Sequence, residues 1–175
     1  VGSEMCIRDR VKIDRLSSHG DGLALTPQGD RLLVVPFALP GEVVRVYPYA
    51  SDRFVFKSRI VEILERNASM RKESLVQCRY FGQCGGCQYQ MIPYEQQLEL
   101  KREVVRRAFM HYSKLDSSLV PEVLPTMPSP ERMHYRTKLT PHFDLPASLR
   151  RAYGKEVPAE PVDVAIGFDL SLIHI

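Results

Sequence analysis

The sequence predicts a small antiparallel β-barrel, then a cysteine-rich loop, one long helix and part of an α/β domain. Three observations predict it. Residues 11–66 alternate short apolar runs with turns that carry Gly or Pro, the pattern of several short strands closed against each other. Residues 67–93 hold three cysteines spaced C-x5-C-x2-C. Residues 94–112 repeat apolar side chains at helical spacing.

The barrel elements follow in order. Val-Lys-Ile-Asp-Arg-Leu at 11–16 alternates apolar and polar residues, as a half-buried strand does. His-Gly-Asp-Gly at 19–22 is a turn, because Gly tolerates positive φ. Leu-Leu-Val-Val-Pro at 32–36 is an apolar strand run, and Leu-Pro-Gly-Glu at 39–42 places Pro and Gly at the centre of a type II turn. Runs at 43–47, 54–56 and 58–64 complete five expected strands. Closure removes exposed strand edges in a domain too small to cover them otherwise. The alternative is two hairpins lying on a neighbouring domain.

Beyond the cysteine loop, Pro93 precedes a helix expected over 94–112. Tyr94, Leu98, Val104, Val105, Ala108, Phe109 and Tyr112 form its apolar stripe. Residues 117–130 read as a Pro- and Ser-rich connector around a short strand at 121–125. Residues 135–143 read as a strand with Pro141 at an edge or end. Residues 146–161 read as a polar loop or hairpin connection. Residues 164–168 read as a strand left without the partners that should follow it.

The chain has 175 residues, 44% hydrophobic and 26% charged, with net charge +3 and pI near 8.7. This is an ordinary globular composition. No apolar run reaches the ~18 residues of a membrane span, and no signal peptide opens the chain, so an intracellular protein with reduced cysteines is expected, cytoplasmic by default with nucleus and mitochondrion left open; a monomer is expected. The charge is unevenly spread. Residues 11–65 are neutral, whereas residues 66–113 hold eight basic and four acidic side chains. Such clustering is what a nucleic-acid partner needs, although a solvated helix face produces the same pattern.

The cysteines are Cys78, Cys84 and Cys87, with Gly85 and Gly86 between the last two. A CxxC pair lets two thiolates reach one metal or cluster corner, and glycines let backbone amides approach sulfur. Three readings remain open on spacing. An iron–sulfur site is closest to the spacing. A zinc ribbon normally needs a second pair, and His111, His134 or His142 would have to complete it. A redox CxxC would leave Cys78 idle.

Residues 1–10 and 171–175 resemble translated sequencing-adaptor DNA. Both segments are therefore set apart from the fold, and Cys6 and His174 with them. On that expectation the protein's own sequence runs from about residue 11 to about residue 170.

The order of motifs resembles a known family. It runs from a barrel with Gly-Asp-Gly at 20–22 and Leu-Pro-Gly-Glu at 39–42, through C-x5-C-G-G-C-Q-x-Q, to Tyr-Glu-Gln-Gln-Leu-Glu-Leu-Lys at 94–101. Tyr-Arg-Thr-Lys at 135–138 and Ile-Gly-Phe at 166–168 follow. The combination is similar to the SAM-dependent RNA (uracil-carbon-5) methyltransferases, and residues 135–144 look like the fungal branch that forms ribothymidine in tRNA. The resemblance covers about residues 11–170. It implies a TRAM, OB-like barrel at 11–66 and a cluster loop at 67–93. A helix and partial central domain would fill 94–170, with the Rossmann-like methyltransferase domain absent.

The resemblance also implies a [4Fe–4S] cluster on Cys78, Cys84 and Cys87, its fourth ligand lying in a Cys-Pro context beyond this chain. S-adenosyl-L-methionine would be bound by the absent domain. In the implied chemistry, a cysteine thiolate outside this chain adds to uracil carbon 6, carbon 5 takes the methyl group, and a carboxylate removes the carbon 5 proton. The base must first leave its stack. RNA, in particular tRNA, is the expected partner. Lys101, Arg102, Arg106, Arg107, Arg136 and Lys138 are candidates for phosphate, and Tyr135 and Phe81 for stacking. The alternative is a stand-alone TRAM-type RNA-binding protein with a structural zinc or iron–sulfur site. A radical-SAM methylthiotransferase is argued against, since that family uses C-x3-C-x2-C and places its barrel after the enzyme domain.

Overall fold

A computed structural model describes residues 9–135, 137, 138, 142, 143, 151, 166 and 167. They divide into two compact units. One runs to Gly82 and resumes over 87–128, and the other joins residues 83–86 to the described residues from Ser129 onward.

The first unit is built on a six-stranded sheet. Its strands are β1 (Asp9–Lys12), β2 (Arg15–Leu16), β3 (Gly22–Leu25), β4 (Leu32–Val35), β5 (Val43–Ser51) and β6 (Val55–Glu65), in the spatial order β1-β5-β6-β4-β3-β2. The two outer strands are consecutive in the chain. One bent segment thus forms both edges, its first half pairing with β5 and its second half with β3. The bend is held where Ile13 N donates to Glu42 O (2.8 Å) and Asp14 N donates to Leu23 O (2.8 Å). The curled sheet encloses a core of Val11, Ile13, Ala24, Leu33, Val35, Ala38, Val44 and Val46, against which Phe56, Ile60 and Ile63 pack.

Three expectations for the sheet are corrected. The runs at 54–56 and 58–64 are one eleven-residue strand, β6. Residues 22–25 form a strand although they follow directly on a Gly turn. Gly22 supplies the reason, because a Cβ there would lie 2.9 Å from both Cβ and O of Ala38. Only Gly lets the strand pass so close to the 36–42 turn. Finally, the sheet is not wholly antiparallel, since β4 pairs with β6 in parallel. Connectivity forces this. β1 and β6 both oppose β5, while β4 is two reversals from the segment that continues β1, so β4 and β6 run the same way.

The expected type II turn is present. Gly41 has φ +80° and Glu42 N donates to Leu39 O at 3.1 Å. The helix α1 (Tyr94–Tyr112) has the expected bounds and starts after Pro93. Its side chains are less buried than the stripe implies. No α1 residue is fully buried, and Val105, Ala108 and Tyr112 are exposed. Periodicity marks an apolar face but does not supply what covers it. Residues 121–125 are not a strand; Pro121 and Pro125 have no N–H to give to a ladder. They run along α1 instead, where Arg102 Nε donates to Val123 O (2.7 Å) and Thr126 Oγ1 donates to Leu98 O (2.8 Å).

In the second unit, β7 (His142–Phe143) pairs antiparallel with β8 (Ile166–Gly167). The strand expected at 164–168 therefore has a partner that precedes it. Of the strand expected over 135–143, Tyr135 is not in a strand, and Arg136 lies outside the described residues.

Candidate nucleic-acid interface and cysteine loop

The cysteine loop is fixed to the sheet by a buried ion pair. Glu42, at the end of the type II turn, is 0% exposed, and the Arg71 side chain is 6% exposed. Arg71 Nε donates to Glu42 Oε1 (2.6 Å) and Nη2 donates to Oε2 (2.8 Å), a bidentate pair. Nη2 also donates to Phe37 O (2.6 Å), and Leu39 N donates to Glu42 Oε2 (2.9 Å). Asn67 adds a donor to Pro40 O (2.8 Å). With its remaining bonds filled in this way, the buried pair is tolerable despite desolvation.

A second apolar cluster lies beneath the loop. Leu39, Met91 and Ile92 are buried there, with Met70, Val76, Phe81, Tyr89 and Leu100 against them. Phe81 meets Phe37 edge-on at 5.3 Å between ring centroids. That contact makes it part of the packing beneath the loop, with its ring partly exposed. Tyr89 closes over the Gly turn, for a Cβ on Gly20 would fall 2.6 Å from its hydroxyl. Burial raises the pKa of Asp21 in the same turn, opposed by His19 and Ser17. Burial and then Asp21 raise that of Tyr89.

Cys78, Cys84 and Cys87 are all free thiols, Cys87 exposed and the other two partly buried. Gln90 Oε1 accepts from Gln77 N and Cys78 N, each at 3.2 Å, and so holds the start of the motif. Gly86 N donates to Cys84 Sγ at 3.4 Å. Cys78 and Cys87 lie in the first unit and Cys84 in the second. Among the described residues no three Cys, His, Asp or Glu are gathered to hold a metal. In kind the donors fit an iron–sulfur cluster: soft thiols on a Gly-rich loop, one already accepting a backbone N–H. His111 and His134, offered as zinc ligands, are exposed and stand in no such group with the cysteines.

The basic candidates on α1 are mostly engaged. Arg106 Nε and Nη2 donate to Glu103 (2.7 and 2.9 Å), and Arg107 Nε donates to the same carboxylate (2.8 Å). Those bonds, first from Arg106 and then from Arg107, hold the Glu103 pKa down to about 2. Arg102 bonds Val123 O and lies 3.7 Å from Glu99. Lys101 and Lys138 are exposed, and Tyr135 is 62% exposed.

A different set of cations went unnoticed in the sequence. Arg31 lies over Phe56 (4.7 Å), Arg53 over Phe54 (5.1 Å), Arg59 over Tyr47 (4.8 Å) and Arg79 over Tyr80 (4.6 Å). The signal was legible in Arg-Phe-Val-Phe-Lys-Ser-Arg at 53–59, where basic and aromatic residues interleave.

Residues 8–47 match the TRAM domain family. The chain is 46% identical over 137 residues to the tRNA (uracil(54)-C(5))-methyltransferase of Schizosaccharomyces pombe, covering 78% of this chain and 26% of that protein. It is 34% identical over 155 residues to the Saccharomyces cerevisiae protein of the same name, covering 85% and 24%. One solved structure, the Pyrococcus abyssi tRNA (uracil-54, C5)-methyltransferase with S-adenosyl-L-homocysteine, matches 62% of this chain and 22% of its own. Its identity is 24% and its TM-score 0.37. Residues 8–47 thus resemble the TRAM domain, and the chain is similar over most of its length to tRNA uracil-54 C5-methyltransferases. It spans about a quarter of the length of the curated relatives it matches.

Proposed function

We propose that this chain is the RNA-binding, cluster-bearing portion of a SAM-dependent tRNA uracil carbon-5 methyltransferase. The observation that carries the reading is the 46% identity over 137 residues to a protein of that name, spanning barrel, cysteine loop and helix together. The TRAM match supports RNA as the partner, and the relatives' names favour tRNA over a stand-alone RNA-binding role.

In this reading the chain's own residues bind and orient. The sheet presents loops and an outer face to RNA, as oligonucleotide-binding barrels do. The Glu42–Arg71 pair fixes the cysteine loop relative to that surface. Lys101, Tyr135 and Lys138 are exposed and suited to phosphate and base; Arg106 and Arg107 are exposed too but are held by Glu103. Cys78, Cys84 and Cys87 would hold the [4Fe–4S] cluster, which when bound supplies a rigid cross-link within a loop poor in regular structure. S-adenosyl-L-methionine and the catalytic cysteine and carboxylate belong to a domain outside this sequence.

The test is methyl transfer from labelled SAM to an unmodified tRNA transcript, with the parent protein and with this chain alone. The parent is expected to form 5-methyluridine, and the chain alone to bind the transcript without transferring methyl. A parent protein that forms no 5-methyluridine would defeat the proposal.

A further inference from the structure

We infer that the distal half of the β5–β6 hairpin, with Arg31 beside it, is a stacking surface for unpaired RNA nucleotides. This rests on the reading of the chain as RNA-binding and adds where and in what form the RNA is held.

At the basal end of the hairpin Arg45 of β5 pairs with Glu62 of β6, and Arg10 of the neighbouring β1 pairs with Glu65. In the distal half the register places Tyr47 opposite Arg59, Ala50 opposite Lys57 and Ser51 opposite Phe56. Three arginines at this end lie on rings. Arg59 covers Tyr47, Arg53 covers Phe54 and Arg31 covers Phe56, all within about 5 Å. The two nearby acids are engaged locally. Asp52 Oδ1 accepts from Arg53 N (2.6 Å), Asp30 Oδ1 accepts from Thr26 Oγ1 (2.6 Å), and Asp30 Oδ2 pairs with Arg31 Nε (3.9 Å).

Phe54 sits at the tip, 65% exposed. Its ring contributes little to the core, unlike Phe56, which packs against it. An exposed ring backed by a guanidinium offers a π-face to a base, and the guanidinium keeps in-plane N–H donors for phosphate. Stacking of this kind tolerates any sequence but requires an accessible base face, which a duplex hides. The arginines of α1 are less suited, because Arg106 and Arg107 would first have to release Glu103.

Fluorescence anisotropy of the purified chain with a short labelled oligouridine and with a blunt RNA duplex tests the inference. The chain is expected to prefer the oligouridine. Arg53→Ala/Phe54→Ala should weaken that binding about tenfold with an unchanged melting temperature, both side chains being exposed. Arg53→Lys keeps the charge and loses the planar stack, so it should weaken binding while leaving the salt dependence unchanged. A double variant that binds as tightly as the parent overturns this surface and leaves the RNA-binding reading standing. A parent that binds the duplex as well as the single strand overturns the choice of unpaired nucleotides. A parent that binds neither RNA overturns the RNA-binding reading itself.

Discussion

Arg71 shows how much one side chain can decide. It reaches across 29 residues of sequence to Glu42 and satisfies both carboxylate oxygens. Replacing it with Leu strands a charge that is 0% exposed. Removing one partner of a buried pair typically costs about 3–5 kcal/mol, and urea unfolding of Arg71→Leu should read a loss of that size. The double variant Arg71→Leu/Glu42→Leu should recover much of it, since no unpaired charge remains. A single variant that unfolds with the parent's midpoint would mean the pair does not anchor the loop. Gly22 is the other residue of this kind. With Ala38 Cβ and O each at 2.9 Å from an added Cβ, Gly22→Ala forces backbone apart and should destabilise by about 1–3 kcal/mol, measured the same way. Gly41 could be read from the sequence because its turn is local. The Glu42–Arg71 pair could not, because nothing in either residue's neighbourhood names the other.

At the scale of the element, α1 kept the bounds its sequence predicted, but its charges are spent differently from expectation. Glu103 takes both Arg106 and Arg107. Folding lowers the Glu103 pKa from 4.5 to about 2. The helix support this pair gives is therefore complete above the ordinary glutamate range and lost as pH falls through about 2. An NMR titration of the Glu103 carboxyl should show its midpoint near 2, and an ordinary midpoint near 4.5 would show the arginines turned elsewhere. Strand β6 carries a related lesson. Its two expected pieces merge because the hairpin absorbs irregularity as register shifts, two at an extra residue of β6 (Leu64 and Val61) and one at an extra residue of β5 (Tyr49), rather than as a break in β6.

For the molecule as a whole, the cysteine loop carries the decisive chemical test. Anaerobic reconstitution with iron and sulfide should give visible charge-transfer absorption and labile sulfide, both lost in Cys84→Ser. One bound zinc with no labile sulfide would replace the cluster with the zinc reading. The outcome bears on the loop's order too, since metal binding by such a loop is also folding free energy.

The sequence by itself determined the turns, the helix and the identity of the three thiols. Each depends on residues that are neighbours in the chain: Pro-Gly at 40–41, the repeat at 94–112, and C-x5-C-x2-C. It also carried the resemblance that the relatives support. Tertiary structure alone decided that one bent segment forms both sheet edges, that β4 and β6 run parallel, and that Glu42 holds Arg71. It decided, too, that Arg53 and Arg59 lie over rings on the β5–β6 hairpin and that Arg106 and Arg107 share Glu103. The reason is physical. Local propensity and periodicity act over a few residues, whereas pairing, burial and charge compensation are set by residues the fold brings together from far apart.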